Sequence, residues 1–380
     1  MGNSLTSQAY HIVFWQNMIS PHQIHYQKYL KSLKPDWNFS LVVNEKNNLH
    51  REKMGWKEND SIAGFKIISN PTLEEVNQIL KEENIINIFS GFKNFPHSKI
   101  ILNYYKKGTV KGGFLAERPD FIGFKGFIRR YAYNFIERQY IENSLFFFAI
   151  GNQACHWYSN SGFASERVFP FCYVVGESNL SENNTDAGVK YSLGFVGQLE
   201  KRKGVDILLK SLSLLKNQDW ELTIIGDGSE KNNLVKLSKK LKIYSNIIFC
   251  GYLNNEIVQE KIKEFDSLIL PSRYDGWGAV INEALTVGTL VICSDACGGS
   301  DLIISEKQGF IFKSKDNLDL KNVLEKAITK GKRTLKERSE LKKWSIEHIN
   351  GKITSKYFLS ILEYCLGIND YHESIPWKRL

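Results

Sequence analysis

LILPSRYDGWGAVINEALTVGTLVICSDACGG, residues 268–299, decides how the rest of this chain is read. A short apolar run meets a turn rich in Pro, Asp and Gly; an amphipathic run follows, and a second apolar run closes on Gly298-Gly299. That order is strand, loop, helix, strand. At the carboxyl end of a parallel strand, a loop opening into a helix presents free backbone N–H groups and the positive end of the helix dipole, where an anion binds. Asp275 and Glu283, eight residues apart, flank the helix start. Amides for phosphate beside acids for hydroxyls form the complement of a nucleotide sugar.

Outward from this stretch, the second half repeats the same alternation. Strands are expected at 193–197, 220–225, 246–250, 267–270, 290–293 and 309–312, with helices at 205–216, 231–241, 255–264, 279–287 and 318–329. The pattern is that of a doubly wound α/β domain. Each strand runs into a polar or glycine loop: Gly197-Gln198-Leu199, Gly226-Asp227-Gly228, Gly251-Tyr252-Leu253, residues 271–278 and residues 295–299. Ligands of such sheets sit at the carboxyl ends of the strands, so these loops are expected to line one crevice. No G-x-G-x-x-G opens a helix, which argues against a dinucleotide oxidoreductase.

The first half also alternates. Strands are expected at 11–15, 39–43, 65–68, 85–89, 99–104 and 145–150, and helices at 22–33, 73–82 and 126–141, giving a second, mainly parallel sheet. His22 and His25 follow the first βα loop one turn apart; they read either as substrate contacts or as half-exposed helix residues. Residues 106–120, KKGTVKGGFLAERPD, read as a long glycine-punctuated loop. In and after it, Lys111, Arg118, Lys125, Arg129 and Arg130 interleave with Phe114, Phe121, Phe124, Phe127 and Tyr131, the texture either of a surface that meets anionic headgroups or of an ordinary helix with solvated bases. The polar stretch 176–190 reads as the linker between an N-terminal domain, 1–175, and a C-terminal domain, 191–345, with a C-terminal helix and tail at 346–380.

Composition sets the outer bounds. At 380 residues, 42% hydrophobic and 24% charged, the chain is long enough for two well-filled domains. Its six cysteines include no C-x-x-C pair and read as reduced thiols in a cytoplasmic protein, Cys293 and Cys297 as packing or loop residues. A net charge of +9 implies an anionic partner without choosing among nucleic acid, a membrane face and phosphorylated substrates; no nucleic-acid module is recognisable. No apolar run reaches the roughly 18 residues of a spanning helix, and the N-terminus lacks the layout of a signal peptide, so the expectation is a soluble or peripheral protein. Met1-Gly2-Asn3-Ser4-Leu5-Thr6 matches the spacing of a myristoylation signal, a pattern short enough to arise by chance.

Several spaced motifs occur together. Val196-Gly197-Gln198-Leu199 with Lys203-Gly204, then Ile225-Gly226-Asp227-Gly228, then Gly251-Tyr252-Leu253, then Pro271-Ser272 through Asp275-Gly276-Trp277-Gly278 to Asn282-Glu283-Ala284, resemble the donor-domain series of retaining family-4 glycosyltransferases of the bacterial surface-polysaccharide type. The resemblance covers roughly residues 190–330; earlier, Ala116-Glu117-Arg118 and Lys125-Gly126 are similar to acceptor-side segments of some members. It implies the GT-B fold: two Rossmann-like doubly wound domains facing across a cleft, with residues 357–365 in a helix that crosses back to the first domain.

Carried over by resemblance, Glu283 holds the nucleotide ribose hydroxyls and Asp275, where the family more often has Glu, contacts the donor sugar. Lys203 neutralises the diphosphate. Gln198 stands where many members have a phosphate-binding arginine, and Arg202 is the candidate to supply that charge. Gly197, Gly226, Gly228, Gly251, Tyr252, Gly276, Trp277, Gly278, Ala279 and Val280 complete the donor side; His22, His25, Glu117 and Lys125 are the acceptor-side candidates. The implied reaction moves a hexose-type sugar from a nucleoside diphosphate sugar to a glycan or lipid-linked hydroxyl, with retention and without metal or cofactor, at the inner face of the plasma membrane. D-x-D is absent, so lysine, arginine and amides are expected to do the electrostatic work. A sugar-nucleotide epimerase of the same fold and a non-catalytic nucleotide-sugar-binding subunit remain as alternatives.

Overall fold

The computed structural model describes residues 9–44, 61–93, 95–120, 128, 140, 143–176, 190–216 and 219–378. They fall into two compact units, one taking the chain to Val174 together with Gly351–Pro376, the other taking Val175–Asn350 and the extreme C-terminus.

In the first unit seven parallel strands, β1 (His11–Gln16), β2 (Asn38–Val43), β3 (Phe65–Ser69), β4 (Ile85–Ser90), β5 (Gly112–Glu117), β6 (Ser144–Ile150) and β7 (Val168–Phe171), lie in the order β3-β2-β1-β4-β5-β6-β7. Helices α1 (Ile24–Leu33), α2 (Leu73–Leu80), α3 (Ser98–Lys106) and α4 (Asn152–Asn160) connect them. Ile12, Val13, Phe14 and Trp15 are all fully buried, because a parallel strand covered on both faces is apolar throughout rather than alternating.

Two expectations are corrected here. Residues 99–104 are not a strand but lie within α3. Ile101, Leu102 and Tyr105 are buried while Lys99, Ile100, Asn103 and Tyr104 are exposed, a helical stripe inside a run whose Ile and Tyr residues suit a strand equally well. The expected loop 106–120 contains β5. A Cβ at Gly113 would lie 2.1 Å from the Phe146 carbonyl oxygen, so this glycine serves close strand approach rather than a turn. Helix α4 was not anticipated. Lys125, most of the 126–141 helix and residues 177–189 of the expected linker lie outside the described residues.

The C-terminal helix Gly351–Cys365 belongs to this first unit. Phe358, fully buried, lies with its ring 5.7 Å from Phe14, 4.9 Å from Phe148 and 5.4 Å from Tyr26. Ser355 Oγ donates to the Tyr26 carbonyl at 2.5 Å and Tyr357 Oη to that of Pro170 at 3.0 Å.

The second unit has six strands, β8 (Tyr191–Val196), β9 (Trp220–Ile225), β10 (Ile247–Gly251), β11 (Ser267–Leu270), β12 (Leu290–Ser294) and β13 (Gly309–Phe312), in the order β10-β9-β8-β11-β12-β13. All pair in parallel. Around them run α5 (Val205–Leu212), α6 (Lys231–Lys240), α7 (Asn255–Glu264), α8 (Val280–Thr286), α9 (Asn317–Lys330) and α10 (Leu335–His348). Helix α10 carries a capping box, Thr334 with Glu337, but its buried face is Arg338, Leu341 and Ser345, so it has little apolar periodicity to read. The Arg338 guanidinium donates to the backbone carbonyls of Lys263 and Phe265, tying α10 to the C-terminal end of α7.

Phe358→Ala should lower the unfolding free energy of the chain by about 3–5 kcal/mol, the usual cost of deleting a fully buried aromatic ring. Urea denaturation reads this directly; a loss below about 1 kcal/mol would show that the C-terminal helix does not help hold the first unit together.

Candidate functional site

In the second unit the chain adds β9 and β10 on one side of β8, then returns to place β11 on the other. Strand order reverses between β8 and β11, and the crevice of a doubly wound sheet opens at that point, beyond the carboxyl ends. Two loops meet there: residues 197–204 after β8 and residues 271–278 after β11.

Backbone hydrogen bonds fix the first loop. Gly197 N–H donates to Ile225 O at 3.0 Å, Leu199 N–H to Asp227 O at 2.9 Å, and Gly226 N–H to Gly251 O at 2.7 Å, so the ends of β8, β9 and β10 are latched in series. A single 3-10 turn, Lys201–Lys203, ends at Gly204 with φ +70°. A Cβ there would lie 2.0 Å from Pro271 O, so glycine permits both the turn and its contact with the second loop.

Arg273 bolts the two loops together. Its guanidinium bonds both Asp206 carboxylate oxygens at 2.7 Å and the Lys201 carbonyl at 2.7 Å, and its N–H donates to Arg202 O at 2.7 Å. Burial alone would raise the Asp206 carboxyl, but the Arg273 hydrogen bonds and charge hold it below its ordinary value.

On this frame Lys203 Nζ lies 2.5 Å from Asp275 Oδ2, with the two side chains 13% and 11% exposed. Ser272 Oγ approaches the same carboxylate oxygen at 3.5 Å. Asp275 is strapped by its own backbone: its N–H donates to Ala296 O and its carbonyl accepts from Gly298 N–H. Glu283 lies in the first turn of α8. No ion pair or hydrogen bond engages its carboxyl among the described residues, and although its side chain reaches the surface in part, burial pushes the carboxyl from 4.5 up to about 7.

The other donor-side candidates divide. Gln198 and Tyr252 are exposed, Gly276 and Gly278 buried, and Gly251, Ala279 and Val280 half-buried. Gly228 accepts no side chain for steric reasons of its own, being packed on the Leu199 backbone. Trp277 is 1% exposed and donates through Nε1 to Asn282 Oδ1 at 2.6 Å, so its ring belongs to the interior and only its backbone is left for a ligand. Arg202 Nε pairs with Glu200 Oε2 at 3.0 Å, which places its charge against a carboxylate of its own loop. Cys293 and Cys297 are fully buried, and burial holds both thiols protonated, raising Cys297 to about 12. Arg273 and Asp206, which shape the site most, were not singled out from the sequence; no spacing rule joins residues that far apart.

The first unit has its own reversal, between β1 and β4. A cavity of about 580 Å³ opens there, lined among others by Gln16, Ser90, Lys93, Glu117, Tyr158 and Tyr173. Gln16 Nε2 donates to Gln23 Oε1 at 2.7 Å, while Gln16 Oε1 and Ser90 Oγ are buried with no hydrogen-bond partner among the described residues. Glu117 therefore stands in this lining at the end of β5. His22 is outside the lining and stacks on Tyr173, which is part of it, with ring centres 5.4 Å apart. His25 is outside the lining; burial, helped by Lys28, lowers it to about 4, so it is neutral at physiological pH.

Two parallel doubly wound sheets, each open at its switch point, make this a protein of the GT-B class. Solved structures agree on the fold: the Anabaena protein Alr3699/HepE, crystallised in complex with UDP, superposes with a TM-score of 0.70 over 94% of this chain and 100% of that one, at 13% identity. Residues 178–346 match the model of the family described as glycosyl transferases group 1. Protein CapJ of Staphylococcus aureus is 27% identical over 197 residues, 50% of this chain and 48% of that protein. The lipopolysaccharide 1,6-galactosyltransferase of Escherichia coli K12 is 30% identical over 139 residues, 35% of this chain and 38% of that enzyme. The chain thus spans less than half the length of these curated relatives.

The raised Glu283 carboxyl makes a pH signature. A group that titrates near 7 when folded and near 4.5 when unfolded binds its proton more tightly in the folded chain, so its contribution to stability falls as pH rises from about 4.5 through 7. Glu283→Gln should abolish this component: the variant's urea midpoint should gain on the wild type's between pH 5 and pH 8. An identical difference at both pH values would overturn the assignment.

Proposed function

We propose that this protein transfers a hexose-type sugar from a nucleoside diphosphate sugar to a hydroxyl of a glycan or lipid-linked acceptor, with retention of configuration, in the synthesis of a surface polysaccharide. The observation that carries this reading is the Lys203–Asp275 pair at the switch point of the second unit, with the unpartnered Glu283 carboxyl on the helix that follows. A fixed ammonium suits a diphosphate, and two carboxylates suit the hydroxyls of a sugar and a ribose. The match of residues 178–346 to the glycosyl transferases group 1 model and the likeness to a lipopolysaccharide 1,6-galactosyltransferase support the same assignment.

In this reaction Lys203 stabilises the negative charge that develops on the departing diphosphate, and the backbone amides opening α8 add to it; such preorganised groups lower the barrier because they need no reorientation as charge appears. Asp275 and Glu283 orient the donor. The cavity of the first unit takes the acceptor, with Gln16, Ser90 and Glu117 offering hydrogen bonds to hydroxyls and Tyr158 and Tyr173 an aromatic wall.

A panel of nucleotide sugars offered with free and lipid-linked glycans tests the reading. Transfer should be seen with one donor, and Lys203→Ala should lower kcat/KM by roughly 10²–10³-fold. Conversion of the nucleotide sugar without acceptor would instead identify an epimerase, and binding without turnover a non-catalytic subunit.

An anionic membrane face is the proposed site of work. Helix α3 and the residues after it expose Ile100 and Tyr104 beside Lys99, Lys106, Lys107 and Lys111, and each such lysine near an anionic surface contributes about 1 kcal/mol. No helix among the described residues is long and apolar enough to cross a membrane. Co-sedimentation with phosphatidylglycerol vesicles should be strong at low salt and fall in a Lys99→Glu, Lys106→Glu, Lys107→Glu variant; equal binding to neutral phosphatidylcholine vesicles would remove this part of the proposal.

A further inference from the structure

Lys203 and Asp275 occupy one another in a site that the proposed function assigns to a ligand. Their shielding makes the pair stronger than a surface ion pair. The backbones that carry them are fixed: Arg273 clamps the Lys203 turn to the second loop, and Asp275 is strapped to Ala296 and Gly298. Their side chains have more freedom. Lys203 reaches its partner along a flexible stem, and its Cε passes 4.0 Å from where a Cβ on Gly197 would lie, at the end of β8. Arg202 has a different counter-ion, Glu200 of its own loop, in a pair far more open to solvent.

We propose that Asp275 is a built-in counter-ion, displaced from Lys203 by the diphosphate of the sugar donor and regaining Lys203 once the sugar has gone. The proposal rests on the reading of this crevice as the donor site. In the empty site the pair is neutral. A nucleoside diphosphate sugar replaces both partners at once, giving its diphosphate to the ammonium and its sugar hydroxyls to the freed carboxylate. A nucleoside diphosphate alone replaces only one: it leaves a shielded carboxylate without its cation and beside further negative charge, which is costly. The site therefore favours the donor over the spent nucleotide, and recapture of Lys203 by Asp275 drives the spent nucleotide out.

Isothermal titration of the full chain with UDP, GDP and ADP, each free and as its glucose conjugate, tests this. Wild type should bind one conjugate about tenfold or more tightly than the matching free nucleotide. Asp275→Asn should tighten the free nucleotide about tenfold while the conjugate gains much less, and the effect should vanish in a Lys203→Gln background, where no ammonium remains to be released. Equal changes for both ligands, weaker binding of the free nucleotide in Asp275→Asn, or persistence of the effect with Lys203→Gln would each overturn the exchange while leaving the donor site standing. Should Asp275→Asn not fold, Asp275→Ala repeats the comparison, and absence of the wild-type preference for the conjugate is itself contrary. Binding of no probe at all by wild type would overturn the donor-site reading on which the exchange rests.

Discussion

The two-pronged bond between Arg273 and Asp206 is the constraint on which the second unit's site depends. It joins the loop after β11 to the first turn of α5, and the same guanidinium also holds the Lys201 carbonyl. A planar fork bonded to both oxygens of a carboxylate fixes direction as well as distance, which a lysine at this position would not do. With that register set, Gly204 lies against Pro271, and Lys203 and Asp275 come within hydrogen-bond distance. The residues that would touch a ligand are thus placed by a pair that need not touch one.

How much of this was visible in the sequence depends on the range of the interaction. Strands Trp220–Ile225, Ser267–Leu270 and Gly309–Phe312 and helix Asn255–Glu264 coincide with the spans read from the chain alone, because each is a periodic or continuous apolar segment bounded by turn residues. The 99–104 segment was misread because β-branched and aromatic residues at helical spacing also make a credible strand. Gly112-Gly113 was misread because glycine marks both turns and close strand approach, and only the neighbouring strands distinguish them. Lys203, Asp275 and Glu283 were legible through the resemblance of several ordered motifs. The Arg273–Asp206 bond, spanning 67 residues, and the direct pairing of Lys203 with Asp275, spanning 72, were not, since neither leaves a local pattern.

The two switch points differ in a way that matches different tasks. At β8 and β11 the groups are charged and already paired, apart from Glu283. At β1 and β4 the buried polar groups are neutral, and two of them, Gln16 Oε1 and Ser90 Oγ, have hydrogen-bonding capacity unspent among the described residues. An amide and a hydroxyl discriminate by geometry rather than by charge, and a buried polar atom left without a partner penalises any occupant that cannot supply one.

The serial latching of Gly197, Leu199 and Gly226 to the neighbouring strand ends has a thermodynamic consequence. Fixing the backbone of a flexible loop consumes roughly 1–2 kcal/mol of conformational entropy per residue. Here that ordering was completed when the sheet formed, so a ligand entering between β8 and β11 meets a loop whose main chain is already frozen. Its association entropy should therefore reflect released water and its own lost tumbling, with little owed to the protein's backbone.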